Sequence, residues 1–239
     1  MRRRIEEAGV RSSFFICAMP RTGSTMLADV MAGAGVVGRA QEDFNHTVLP
    51  SWARVRVGDY LVDCARRAER TGVLGTKLFW YQCEGLLHLL RRLHGSRGLS
   101  DRELVECIYP HPRFIWIRRE DVVAQAVSWW KARTTGVWLD RDAPQGEGVF
   151  DFEAIDQRVR MVEEQAVAWR AWFAANAIEP LPLVYEELAA DPRGVARQAL
   201  DFLGVDVPAD LVVEPRTRRQ ADALNEEWIR RYRELAEAR

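Results

Sequence analysis

The stretch Phe14–Leu27, FFICAMPRTGSTML, decides how the rest of the chain is read. Phe14–Ala18 is short, apolar and punctuated by Pro20, the pattern of a buried strand. Thr25–Ala34 has the composition of a helix closed by Gly33 and Gly35. Between them lie Arg21, Thr22, Gly23 and Ser24, a cation and hydroxyls around one glycine. A strand–loop–helix corner of this kind leaves helix N–H groups open, and the helix dipole favours an anion there. The plainer reading is an ordinary turn in which Ser24 or Thr25 merely caps the helix.

Working outward, Gly72–Trp80 (GVLGTKLFW), Arg113–Ile117 (RFIWI) and Leu181–Val184 read as further short strands. Gln82–His94, Glu120–Thr134, Gly194–Leu203 and Asp222–Ala238 read as helices, and Trp52–Arg70 has mixed helical periodicity. The clearest helix is Phe152–Phe173. Its apolar residues Phe152, Ile155, Val159, Val162, Ala166, Trp169 and Phe173 advance in steps of three and four. Asp140–Gly148 is loop-like. Strands alternating with helices predict an α/β fold: a P-loop-like parallel sheet with helices on both faces, in a single domain over 1–239. Residues 1–12 are read as a flexible extension.

Composition narrows the function. The chain has 239 residues, 48% hydrophobic, with a net charge of −1, so no global basic field points to nucleic acid. Cys17, Cys64, Cys83 and Cys107 are scattered, and the four histidines lack metal-ligand spacing. The charged opening MRRRIEEAGVRSS and the lack of a long apolar segment lead us to expect a cytoplasmic enzyme without membrane insertion.

The ATP phosphate loop reads GxxxxGK[ST]. Aligned on Gly23, its first glycine falls on Ala18, its lysine on Ser24 and its hydroxyl on Thr25. The lysine is missing, and Arg21 sits inside the loop instead. Metal-dependent enzymes also place an Asp after a buried strand, whereas RFIWI runs into Arg118 and Arg119. That charge repels a metal and attracts a second phosphate, so the sequence predicts a nucleotide with two phosphate sites and no metal.

PRTGST at 20–25, followed by IRREDVVAQAVSWWKARTTGVW at 117–138, resembles the bacterial Stf0-type sulfotransferases, which use 3′-phosphoadenosine 5′-phosphosulfate (PAPS). GVVGRAQEDF, TKLFW, FDFEAIDQRVRMVEEQAVAWRAWF, LVYEELAADP and RRQADALNEEWIRRYR extend the resemblance, in order, over most of the chain. The resemblance implies a 5′-phosphosulfate site at Arg21, Thr22, Gly23, Ser24 and Thr25. It implies a 3′-phosphate site at Ser128 with Arg118 or Arg119, and weakly a contribution from Arg218 or Arg219. The alternative for the Arg118–Ser128 group is a surface ion-pair cluster with Glu120 and Asp121. The resemblance also implies a homodimer.

Sulfuryl transfer is a loose in-line displacement governed by positioning and charge. Arg21 and the loop N–H groups are expected where charge grows on the leaving group. By resemblance the general base is Glu42, with neighbouring Asp43 a rival; a loop Glu in solvent is the plain alternative. Lys77 is read either as meeting a sulfate oxygen or acceptor hydroxyl, or as a strand-end lysine in solvent. Trp80, Trp129, Trp130 and Trp138 are either core residues or platforms for adenine or sugar. The acceptor is read as a small-molecule hydroxyl, on a trehalose-like carbohydrate or another alcohol. Pro20, Arg39, Gln41, Asp43 and Phe44 are the residues placed at its site. Here the chain departs from the family pattern: Pro20 stands where a sugar-holding side chain is expected, Arg39 replaces an acid and Asp43 an aromatic. An acceptor bearing a negative group would suit Arg39. The rival functions are a metal-dependent P-loop kinase or NTPase, and a nucleotide-binding protein without catalysis.

Overall fold

A computed structural model describes residues 1–45, 56–95, 98–139, 142–207 and 223–239. Four parallel strands form one sheet: β1 (Ser12–Ala18), β2 (Val73–Phe79), β3 (Pro112–Arg118) and β4 (Leu181–Val184), in the order β2-β1-β3-β4. The register sets Ser12 beside Val73 and Ala18 beside Phe79, and Ser13 beside Pro112. All four carboxyl ends therefore open on one edge. Because β1 has β2 on one side and β3 on the other, the chain reverses direction across the sheet at the end of β1. Open α/β sheets bind ligands at such a place.

Alternation along β1 shows why the strands are apolar throughout. Phe15 and Cys17 enter the core on one face, Phe14, Ile16 and Ala18 the core on the other. The first core is covered by α3 (Val57–Ala65), α4 (Trp80–His94), α5 (Asp101–Glu106) and the long α7 (Phe152–Ala175). The second is covered by α2 (Ser24–Gly33), α8 (Tyr185–Ala190) and α9 (Pro192–Leu203). A smaller cluster joins α6 (Val122–Thr135), α7 and α10 (Ala223–Glu237). Helices thus lie on both faces, as the periodicity predicts.

Three helices were not anticipated. The first is α1 (Arg2–Glu7), in the segment read as a flexible extension. Ile5 is fully buried, Val10 nearly so, and Arg4 pairs with Asp59 at 2.6 Å, so the segment is docked, not free. The others, α5 and α8, are six residues each, too short for helical periodicity to show. Trp52 and Arg218–Arg219 lie outside the described residues, whereas most of the segment read as mixed helix is described and contains α3. Among the described residues no helix is long and apolar enough to cross a membrane.

Trp169 ties the long helix to the sheet. It is fully buried, meets Trp80 edge-on at 5.2 Å and stacks on Phe173 at 5.4 Å. Its indole N–H donates to the carbonyl of Ala18, the last residue of β1, at 3.2 Å. Trp169→Ala is expected to lower the unfolding free energy by about 3–5 kcal/mol, read by chemical denaturation.

Candidate active site

The corner after β1 is built from backbone geometry. Arg21 and Gly23 both adopt left-handed φ, +68° and +78°, which turns the chain sharply into α2. Gly23 is the helix N-cap and offers no side-chain hydrogen bond to the first turn. The capping reading for Ser24 and Thr25 is therefore not what the chain adopts. A Cβ on Gly23 would lie 2.7 Å from Cδ2 of Tyr185 and 3.3 Å from Leu188, so only glycine fits. Thr22 turns inward, its hydroxyl donating to the Met19 carbonyl at 2.9 Å, and thus braces the loop instead of facing a ligand. Buried Pro20 contributes a carbonyl, which accepts from Gln125 Nε2 of α6 at 2.8 Å.

Two cationic groups flank this corner, and their roles differ from expectation. The Arg21 side chain reaches toward α6. Its Nε donates to Ser128 Oγ at 3.0 Å and its Nη1 to the Trp138 carbonyl at 2.6 Å. Burial, and then the like charge of Arg119, push the Arg21 pKa down. Arg21, Arg119 and Ser128 therefore converge, and two neighbouring guanidinium groups favour an anion between them. Arg119 and Arg118 are distinguished by burial: the Arg119 side chain is 12% exposed, that of Arg118 46%. The guanidinium of Arg119 lies 4.5 Å from the Tyr185 ring centre and 3.9 Å from Glu186, and Arg118 turns to Glu120 at 3.8 Å.

At the start of α2 the cation is Lys77. Far from being a strand-end lysine in solvent, it lies within β2 and is only 6% exposed. Its Nζ donates to Thr25 Oγ1 at 2.8 Å and pairs with Glu42 Oε1 at 2.8 Å. Glu42 also accepts from Asn45 at 2.9 Å and from Gln82 at 3.2 Å. Burial alone would raise the Glu42 carboxyl. The Lys77 charge and these hydrogen bonds outweigh it and hold the group below the usual carboxylate range. Glu42 is thus an ionised, partner-held carboxylate at neutral pH, not a solvated loop residue.

Asp43 and Phe44 do not reach the cleft. Phe44 is in the core, and Asp43, 4% exposed, is bound by Arg67 at 2.6 Å. Burial pushes the Asp43 carboxyl up against the pull of Arg67. Both are turned away from the place expected for acceptor contacts, and Asp43 from that of a rival base: Phe44 packs in the core, and Arg67 and Thr76 hold the Asp43 carboxylate on the interior side. Gln41 pairs through its backbone with Thr76, its side chain exposed. Arg39 is met by Asp29 at 2.5 Å.

Among the tryptophans, Trp80 is packed on Trp169, and Trp130 donates to the Val149 carbonyl. Arg158 lies over the rings of Trp129 and Trp130. Trp138 is 42% exposed beside Arg21, and Tyr81 is 38% exposed near Glu42. Tyr185 is the functional residue that sequence reading missed. Its place directly after β4, at the carboxyl edge of the sheet, is the signal that could have found it.

Comparison with known proteins places the chain in a family. A family model described as Stf0 sulphotransferase matches residues 13–235. The chain is 30% identical to a trehalose 2-sulfotransferase of Mycobacterium tuberculosis, covering 92% of this chain and 94% of that one. It is 31% identical to one of Mycolicibacterium smegmatis, covering 95% and 96%. A solved sulfotransferase domain from the curacin biosynthetic pathway, 17% identical, covers 90% of this chain and 82% of its own with a TM-score of 0.51, a likeness of fold.

Gly23→Ala is expected to destabilise the chain by more than about 1 kcal/mol, since both φ and Tyr185 oppose a side chain there. Denaturation will read that loss, and calorimetry with 3′,5′-bisphosphoadenosine is expected to show weakened binding.

Proposed function

The chain belongs to the Stf0 sulfotransferase family, and on that premise we propose which residues carry the reaction and what it acts on. It is a sulfotransferase, an enzyme that takes a sulfuryl group from a donor to an acceptor hydroxyl. In our reading the donor is PAPS. Its 5′ side is held by the open first turn of α2 around Gly23, Ser24 and Thr25. Its 3′-phosphate is held by Ser128 and Arg119, with Arg21 between the two. The fit rests on the left-handed corner that only glycine can make, and on two guanidinium groups converging beside Ser128.

The observation that carries the reading is Lys77. One ammonium group touches Thr25, at the start of the anion-binding helix, and Glu42, the carboxylate. It thereby links the place where the transferred group would sit to the place where a proton must be taken. Glu42, held ionised, accepts the proton of the incoming hydroxyl. Lys77 holds the carboxylate in place and offers positive charge to the oxygens of the transferred group. Arg21 and Arg119 stabilise the charge left on the departing bisphosphate. Electrostatic preorganisation of this kind needs no rearrangement at the moment of transfer.

For the acceptor we favour a carbohydrate hydroxyl of the trehalose type, as the names of the two relatives suggest. Tyr81 and Trp138, exposed beside Glu42 and Arg21, offer rings suited to the apolar face of a sugar. Arg39, neutralised by Asp29, gives no reason to demand an anionic acceptor.

Incubation with PAPS and trehalose, and in parallel with a metabolite extract, followed by mass spectrometry for a gained sulfuryl group, tests the reading. Glu42→Gln is expected to reduce turnover at least about 100-fold with donor affinity unchanged; turnover near the native rate would remove Glu42 as the base. Arg119→Ala is expected to weaken 3′,5′-bisphosphoadenosine binding at least about tenfold, while Arg118→Ala changes it little. Equal losses in the two variants would return the 3′ site to the surface ion-pair reading.

A further inference from the structure

The segment that carries Glu42 is pinned on both of its sides. On the cleft side, Glu42 is held by Lys77. On the interior side, Asp43 Oδ2 accepts from Arg67 Nη2 at 2.6 Å and from Thr76 Oγ1 at 3.3 Å. The Asp43 carbonyl accepts from the Tyr60 hydroxyl at 2.5 Å. The backbone of the same segment lies along β2, Lys77 N donating to the Gln41 carbonyl at 2.8 Å. Thr76 and Lys77 are successive strand residues and face opposite ways. So do Asp43 and Glu42, and the two alternations match: Thr76 holds Asp43 inside while Lys77 holds Glu42 outside.

From this matched pair of contacts we infer that Asp43, Arg67 and Tyr60 form an interior lock whose function is to hold Glu42 in register against Lys77. They are positioning residues: none of them touches the cleft, and their effect passes through the 41–45 segment. The Arg67 main chain is itself packed close to Gly38, three residues before that segment. A Cβ on Gly38 would lie 3.2 Å from the Arg67 carbonyl and 2.9 Å from that of Val73. The catalytic meaning of the lock rests on the reading of Glu42 as the base, but its geometry does not.

The chain has only two lysines, Lys77 and Lys131, which permits a direct test. A water-soluble carbodiimide applied to the native chain is expected to join Glu42 to Lys77 as a zero-length amide, read by peptide mass spectrometry. Arg67→Met is expected to lower that yield at least about fivefold and turnover at least about tenfold, because small misplacements at a reacting centre are costly. Affinity for 3′,5′-bisphosphoadenosine is expected to stay within about twofold of native, since the donor residues lie on other elements. Arg67→Lys restores part of the Glu42–Lys77 yield, any new link from residue 67 to Asp43 being separable by mass. Tyr60→Phe, which removes one hydroxyl, carries the test should Arg67→Met fail to fold, and is expected to cut the yield about twofold. Native yield in both variants, or native yield in Tyr60→Phe beside an unfolded Arg67→Met, overturns the lock. So does a loss of bisphosphoadenosine affinity as large as the loss of cross-link. If Glu42→Gln turns over normally while the cross-link falls as expected, the lock stands and the assignment of the base is what fails.

Discussion

A lysine placed inside a strand and almost sealed from water must have its charge met, or the fold bears a heavy desolvation cost. Lys77 is that residue, and Thr25 and Glu42 are what meet it. Much of the site follows. Thr25 is available because α2 begins at Gly23, directly after β1. Lys77 is in reach because β2 lies parallel to β1 with Ile16 opposite Lys77. Glu42 arrives because the segment after α2 runs back along β2. A structural requirement, neutralising a buried ammonium, and a chemical one, holding a carboxylate ionised beside the open start of α2, are satisfied by the same contacts.

The opposite side of the corner is organised by Tyr185. Its ring edge fills the space that a side chain on Gly23 would need, and its face lies against Arg119. The next residue, Glu186, accepts from the backbone N–H of Glu120 and Asp121 at 3.2 and 3.4 Å. The β4–α8 junction therefore braces the loop after β1 and the end of β3 together. Asp121 in turn caps α6 and receives both hydrogen bonds from Arg233 of α10 at 3.0 Å. The helix that presents Ser128 is thus fixed at its first turn by the end of the chain.

The two sides of the cleft are built differently. The side proposed for the donor is made of backbone turns and of an Arg–Ser contact, features that a short motif can specify. In the segment 39–44 the side chains are placed otherwise than the sequence led us to expect. Arg39 is tied to Asp29, and Asp43 and Phe44 turn inward. In the proposed reading, acceptor recognition falls to the exposed rings of Tyr81 and Trp138.

Sequence alone determined the parallel α/β plan, because fully buried strands and amphipathic helices leave periodic marks within a few residues of one another. It determined the strand–turn–helix corner as well, since the turn needs Gly23 locally. The short helices α1, α5 and α8 escaped because one and a half turns carry no readable period, and docking of Ile5 holds the first of them. Only tertiary structure decided which side chains meet. Arg21 leaves the helix start for Ser128 of α6, more than a hundred positions away, and Lys77 takes its place there. Arg119 is separated from Arg118 by a tyrosine after the last strand, and Glu42 from Asp43 by the side of the segment each occupies. Adjacent residues of like chemistry look interchangeable in a sequence. Their directions, and the partners that wait there, exist only once the strands are paired.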